Sequence, residues 1–388
     1  MPIKNRFAEM HAEITGWRRH LHQHPELDFD VHETAKFVEE KLRSFGVTDI
    51  TTGIGRTGVV AVIEGRKTTS GRAIGLRADM DALPIFEATG LEYASKVQGK
   101  MHACGHDGHT AMLLGAAQYL AETRNFDGRV VLIFQPAEEG GGGGLEMCRD
   151  GLMDRWGIDE VYGLHTHPGE AVGGFHIRPG AQMAAADQFD ITITGVGGHA
   201  AEPHKAVDPN VAAAHVIIAL QSIASRAVDP LSQIVVSVCM LRSNTEAYNV
   251  IPERVMMRGT VRSLDAGVRD LAQRRLEEIV DLTARAHGCV AQTDYARGYP
   301  VTINNPAQTQ YAIAAAQAIT ADVDGDTPPI MAAEDFSYMA EERPGAFIML
   351  GNGEGPNVHH PEFNFNDEAI PAGCSYFAEL VERRMPLV

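Results

Sequence analysis

Positive charge is scarce in this sequence. Lys and Arg together number 33 against 51 Asp and Glu, a formal net charge of −18. Nucleic acid and anionic membrane surfaces would repel such a chain, and both are set aside as partners. Long apolar runs are missing too. No stretch approaches the roughly 18 consecutive apolar residues of a membrane span. The opening MPIKNRFAEMHAEITGWRRH has no apolar core of signal-peptide length. Cysteine is thin: five residues, at 104, 148, 239, 289 and 374, odd in number and scattered. They do not read as a disulfide framework, and a reducing cytoplasm is the expected location. Short-period repeats and long low-complexity segments are absent as well. What remains, 44% hydrophobic and 22% charged residues, is ordinary for a globular protein. At 388 residues the chain exceeds the usual single core, so two domains are expected.

The densest chemistry lies in Met101-His102-Ala103-Cys104-Gly105-His106-Asp107-Gly108-His109-Thr110. Gly105 lets the backbone bend so that Cys104 and His106 can converge on one point. The apolar run Ala111–Ala117 follows at once, which places the cluster on a loop ahead of a buried helix. A polar loop with a buried thiol would give the same string, so this stretch alone does not decide the matter. Upstream, a helix is expected over 5–21, with Phe7, Met10, Ile14 and Trp17 on one face. A turn follows at 22–28, where Pro25 disfavours helix, and His22 and His24 read there as solvated loop residues. A second helix spans 32–45, then strands 58–64 and 73–78. The latter runs into Asp79 and Asp81, where open α/β sheets place their sites; an Asx-stabilised turn is the bland alternative. The run 129–134 reads as a strand buried on both faces. It delivers Glu138 and Glu139, adjacent acids that repel unless a positive charge lies beside them. One can bind a metal while the other faces a water. Strand 160–164 delivers His165 and His167. Histidine, cysteine or carboxylate at the ends of successive βα units is the specific signal.

Near residue 184 the pattern changes. Residues 187–195 alternate apolar and polar, as in a half-buried strand. A helix over 209–226, strands over 233–241 and 253–261, a helix over 268–287 and a strand over 289–295 complete a βαββαβ unit. Helix 310–320 and strand 346–350 resume the first pattern, followed by the His359-His360 cluster and a helix over 371–384. The expected organisation is a catalytic domain at 1–184, an inserted domain at 185–296 and the rest of the catalytic domain at 297–388.

Ten motifs, in order along nearly the whole chain, carry a resemblance: RRHLHQHPEL (18–27), GLRADMDALP (75–84), MHACGHDGHTAMLLG (101–115), VLIFQPAEEGGGG (131–143), GLHTHPG (163–169), GVGGHAAEPH (195–204), NVIPE (249–253), GTVRS (259–263), AEDFS (333–337) and VHHPEFNFND (358–367). The sequence resembles the M20 family of metallopeptidases and amidohydrolases, in its aminoacylase, hippurate hydrolase and indole-acetyl-amino-acid hydrolase branch. The resemblance implies an α/β fold: a metallopeptidase-type catalytic domain with a central mixed sheet flanked by helices, plus an inserted ferredoxin-like lid or dimerisation domain. It implies two divalent metal ions per subunit, held by Cys104, His106, Glu139, His165 and His359, with His360 as the alternative to His359. Many M20 peptidases carry His where this chain has Asp79, so the metals would rely on the cysteine loop.

By the same resemblance Glu138 is the general base, and Asp81 orients a ligand and tunes the metals. His199 and Asn249 bind substrate or its oxyanion, and Arg262 is a candidate partner for a carboxylate. His102, His109 and His167 are left as structural or supporting residues. The mixed donor set suits Zn, Mn, Co or Ni better than Ca or Mg. The implied reaction cleaves N-acyl or N-aroyl amino acids to a carboxylic acid and a free amino acid, in a homo-oligomer such as a dimer. A dipeptidase or aminopeptidase of the same fold, or a catalytically silent binding protein, are the alternatives.

Overall fold

The computed structural model describes residues 3–387. The chain divides into two compact units. The first comprises the residues up to Gly180, Ile303–Pro328 and those from Asp335 onward; the second comprises Ala181–Thr302 and Pro329–Glu334. The boundaries drawn from sequence at 184/185 and 296/297 fall a few residues inside these junctions.

The first unit is built on an eight-stranded mixed sheet. In spatial order its strands are Asp49–Ile54, Gly58–Glu64, Arg129–Gln135, Ala73–Asp79, Glu160–His167, Gly345–Gly351, Phe175–His176 and Val323–Asp324. The four from Arg129–Gln135 to Gly345–Gly351 are mutually parallel. Their near-continuous Val, Ile and Leu content follows from burial on both faces. The helix His106–Thr123 is buried along almost its entire length, which is why it reads as an apolar run without a polar stripe. It packs against the helices Ile3–Gln23 and Ile370–Arg384. A Cβ on Gly115 would meet Ile14 Cδ1 at 2.6 Å and Cys374 Sγ at 2.8 Å, so glycine is what lets the three helices approach.

Three local expectations change. The first helix runs on through His22 to Gln23, because Pro25 constrains only its immediate predecessor. His22 is accordingly fully buried, not a solvated loop residue. The strand Asp49–Ile54 is an extra edge strand that sequence missed, since DITTGI is mostly exposed and carries no apolar alternation. The helix expected at 310–320 spans Pro306–Gln317. Asn305 caps it by accepting the Ala307 N–H, with Pro306 in the first turn, a start signal that sets the earlier boundary.

The second unit contains a four-stranded antiparallel sheet in the order Ile234–Ser243, Arg254–Ser263, Ala185–Thr194, Val290–Arg297. Phe189, Ile191 and Ile193 from its sheet share a core with Val216 and Leu220 of the helix Pro209–Ser222 and with Leu276 and Val280 of the helix Ala266–Ala286. This is the βαββαβ, ferredoxin-like arrangement. Beneath it Arg269 makes a two-oxygen ion pair with buried Asp187, which also accepts the Tyr295 hydroxyl and the Gly298 N–H. No described helix of either unit is long and apolar enough to cross a membrane.

Candidate metal centre

Parallel pairing sets the site. Asp79 lies opposite Gln135 and Gly351 opposite His167, so the central strands end level on one edge. Beyond those ends the chain supplies Asp81, Glu138 and Glu139 and, after a longer loop, His359, while His165 lies within the last residues of the strand Glu160–His167. Cys104 and His106 flank Gly105, at φ 88°, where the helix His106–Thr123 begins. The structure brings these residues together. Cys104 Sγ lies 3.3 Å from His165 Nε2. His359 Nε2 lies 3.4 Å from Glu139 Oε2, and His106 Nε2 is 3.9 Å from Glu139 Oε1. Three overlapping sets each offer donor atoms within 4.8 Å of one another: Cys104, His106 and His165; Cys104, Glu139 and His359; His106, Glu138 and Glu139. His360 Nδ1 accepts the Glu362 N–H.

The ring tautomers follow from the partners. A carbonyl only accepts, so His106 Nδ1 donates to the Asp81 carbonyl at 2.8 Å and His165 Nδ1 to the Thr166 carbonyl at 2.6 Å. Both rings therefore turn a lone-pair Nε2 into the cluster, as metal-binding histidines do. Buried His106 Nε2 and Glu139 Oε1 have no hydrogen-bond partner among the described residues. Orphaned buried acceptors are costly, and a cation between them removes the cost. The donor set thus fits divalent metal. Asp81, almost fully buried, accepts the backbone N–H groups of Glu138 and Glu139 at 3.0 Å each, one per carboxylate oxygen. Two residues beside the cluster sit in the left-handed region without being glycine: Ala137 at φ 54° and His359 at φ 67°. Such backbone is held by its surroundings and concentrates at functional sites. His359 is tied by its N–H to the Ala103 carbonyl at 2.7 Å, next to Cys104.

Without a cation, the electrostatics favour thiol at Cys104 and a charged ring at His106, protons that a metal ion would have to displace. The Cys104 thiol is pushed well up, first by burial and then by Glu139, Glu138 and Asp79. A cation at this point would reverse that direction and favour thiolate. Burial works against charge on His106, but Asp79 and Asp81 outweigh it and raise its pKa to about 10. Burial, followed by His109, pulls His165 far down, toward the neutral form a ligand needs. Burial alone would raise Glu139, yet His359 and His106 hold it below its usual range.

Sequence reasoning missed the supports. Arg77 and Asp79 alternate along a buried strand and so share one face. That pattern, two charges in an apolar strand, was the available signal. Arg77 is fully buried and donates to Asp79, Gln135 and Asp335. Asp335 also accepts the N–H of Gly144, at the glycine-rich turn after Glu139. His22 bonds to Asp107 at 2.8 Å, and Arg18 pairs with the same carboxylate at 2.9 Å. Asp107 is the residue after His106. His102 is buried, with both ring nitrogens unpartnered among the described residues, and burial lowers its pKa to about 4. His167 is partly buried, and burial lowers its pKa.

The remaining expected site residues belong to the second unit. Exposed His199 pairs across a short two-stranded ladder with Val250, and its Nδ1 accepts the Ala201 N–H. His199 and Asn249 line one cleft with Asn244 and Thr245. Arg262, on the strand Arg254–Ser263, is half-buried and donates to Thr260 Oγ1. It makes no ion pair among the described residues.

Over nearly its whole length the chain resembles the hippurate hydrolase of Campylobacter jejuni, at 40% identity over 374 residues and 96% of both chains. It is 41% identical to the N-acetyl-L-cysteine deacetylase of Bacillus subtilis, over 97% of this chain and 89% of that one. Among solved structures, the YXEP protein of Bacillus subtilis, a dinuclear metal binding peptidase from the M20 family, superposes with a TM-score of 0.85 at 33% identity, covering 98% of this chain and 100% of that one. The family model for peptidase family M20/M25/M40 matches residues 75–383. The chain is a member of peptidase family M20/M25/M40.

Proposed function

We propose that this chain is a metal-dependent amidohydrolase that cleaves N-acyl amino acids to a carboxylic acid and a free amino acid. The observation that carries the reading is the convergence of Cys104, His106, Glu139, His165 and His359 around orphaned buried acceptors, beside a second acid, Glu138. The activities of the hippurate hydrolase and the deacetylase support the substrate class. Cys104, His106, Glu139, His165 and His359 would hold two divalent ions. When bound, such ions polarise a carbonyl and acidify water.

The protein's own residues do the rest. Glu138 accepts the proton of the attacking water and returns it to the leaving nitrogen. Asp81 fixes the backbone of both acids, so that one points to metal while the other moves a proton. His199 donates to the oxygen on which charge develops. Asn249 and Arg262 bind the substrate, Arg262 through its carboxylate. The chain works as a homodimer: the strand Ile234–Ser243 is the edge of its sheet, with exposed Leu241 on it, and an unpaired edge is a template for a second copy. Five free cysteines suit the cytoplasm.

The test joins metal analysis of the purified chain to amine release from a panel of N-acetyl amino acids, N-benzoyl amino acids and dipeptides. Turnover of the acyl compounds with about two metals per chain is expected. Turnover of dipeptides alone makes it a peptidase, and a metal-replete chain that cleaves nothing makes it a binding protein.

A further inference from the structure

Behind His165 the polar groups form an ordered series. Arg77 Nη1 donates to Asp79 Oδ2 at 2.6 Å. Asp79 Oδ1 accepts from His109 Nδ1 at 2.7 Å. That fixes the proton on Nδ1, and His109 Nε2 accepts the backbone N–H of Thr166 at 2.9 Å. The carbonyl of the same Thr166 takes the Nδ1 proton of His165 at 2.6 Å, which leaves His165 Nε2 facing Cys104 Sγ. The His109 and His165 rings stand 4.5 Å apart. Arg77, Asp79, His109 and Thr166 are all buried.

Asp79, His106 and His109 also lie close enough to suggest a ligand trio of their own. Their bonds argue otherwise. Both oxygens of Asp79 and both nitrogens of His109 are already engaged, so His106 Nε2 is the one donor of that trio still open. His109 looks inward to the protein, not outward to an ion.

We infer that His109 is a positioning residue. Clamped by Asp79 and Arg77, it holds the Thr166 N–H, and through the Thr166 backbone sets the tautomer and direction of His165 Nε2 toward a metal ion. The inference rests on the metal-centre reading of the proposed function. A residue of this kind tunes affinity without touching the ion, and loss of such a partner typically costs about 10–100-fold in metal affinity.

The test uses the full chain, stripped of metal and titrated with cobalt(II), followed by calorimetry and by the thiolate-to-cobalt absorption band. His109→Leu removes the acceptor for the Thr166 N–H. It should weaken one of the two cobalt sites by roughly 10–100-fold and shift the band. His109→Gln retains an acceptor oxygen and should stay within a few-fold of the parent. Unchanged cobalt affinity and band in His109→Leu overturn the inference even if its melting temperature falls, since a merely structural role moves only the latter. If His109→Leu does not fold, the parent answers through long-range proton–nitrogen spectra of labelled histidine. His109 must carry its proton on Nδ1, and a proton on Nε2 overturns the inference. A parent that takes up no cobalt sinks the metal-centre reading instead, an outcome separate from a parent that binds normally and a His109→Leu variant that binds equally well.

Discussion

Cys104 Sγ stands 3.3 Å from His165 Nε2, although 61 residues separate them in the chain. Two electron-rich atoms so close need a proton or a metal ion between or beside them. Cys104→Ala is expected to lose most bound metal and nearly all turnover while the fold survives. Elemental analysis beside circular dichroism checks this; full metal content and turnover in the variant would remove Cys104 from the cage.

Glu138 and Glu139 are neighbours held by one carboxylate, that of Asp81, yet they should fail differently. Glu138→Gln should keep its metal and lose roughly 10²–10⁴-fold in kcat, the scale of a missing general base. Glu139→Gln should lose metal occupancy. Measuring metal content and kcat for both variants decides the assignment, and the reverse pattern exchanges the roles.

His199 is exposed on the second unit and bonded only through Nδ1 in the hydrogen bonds found there. Its replacement by Ala should lower kcat by roughly 10²–10³-fold, as for one lost oxyanion donor. Metal content and melting temperature should hold. Mixing His199→Ala with Glu138→Gln protein then tests action across a dimer. Regained activity after verified subunit exchange supports it, and none places His199 in the same chain as the Glu138 it serves.

Asp187 is buried, and Arg269 engages both of its oxygens. Asp187→Asn would leave a buried guanidinium without its counter-charge. A loss of about 3–5 kcal/mol is expected, since breaking a buried pair from one side strands the other charge. Urea melts of the two proteins read this directly, and an unchanged midpoint would mean the pair contributes nothing.

His22 gives a pH signature. Burial lowers its pKa, but the bond to Asp107 wins and the net shift is upward. The folded chain then binds this proton more tightly than the unfolded one. The stabilisation is complete below the unfolded pKa of about 6.5 and is lost as pH rises through the higher folded value. Melting temperatures of the parent and of His22→Gln should therefore converge as pH climbs from about 6 upward. A gap that widens over that range contradicts the sign.

Much of this was legible in the sequence. The buried strands read as apolar runs because parallel strands hide both faces, and their ends announced Glu138, Glu139 and His165. Cys104 and His106 stood out by density, and His359 by motif. What stayed hidden was relational. Nothing local in His22 says that it meets Asp107, 85 residues away. His109 read as a structural or supporting residue, but nothing local said that its two nitrogens serve Asp79 and Thr166. Asp187 read as a polar position in an alternating strand, although its partner Arg269 lies 82 residues on. Buried charge pairs of this kind are chosen by tertiary packing, and spacing along the chain carries no trace of them.

The strand Gly345–Gly351 pairs in parallel with Glu160–His167, though nearly the whole second unit is encoded between them. On the ribosome this has a temporal meaning. At about 5–20 residues per second, the Glu160–His167 edge waits roughly ten to forty seconds for its neighbour. During that interval one edge of an apolar strand stands unpaired, and the cage lacks His359. A nascent chain halted after the inserted unit would present a sticky, catalytically incomplete sheet, which makes the interval between residues 167 and 345 the stretch of synthesis where chaperone protection counts most.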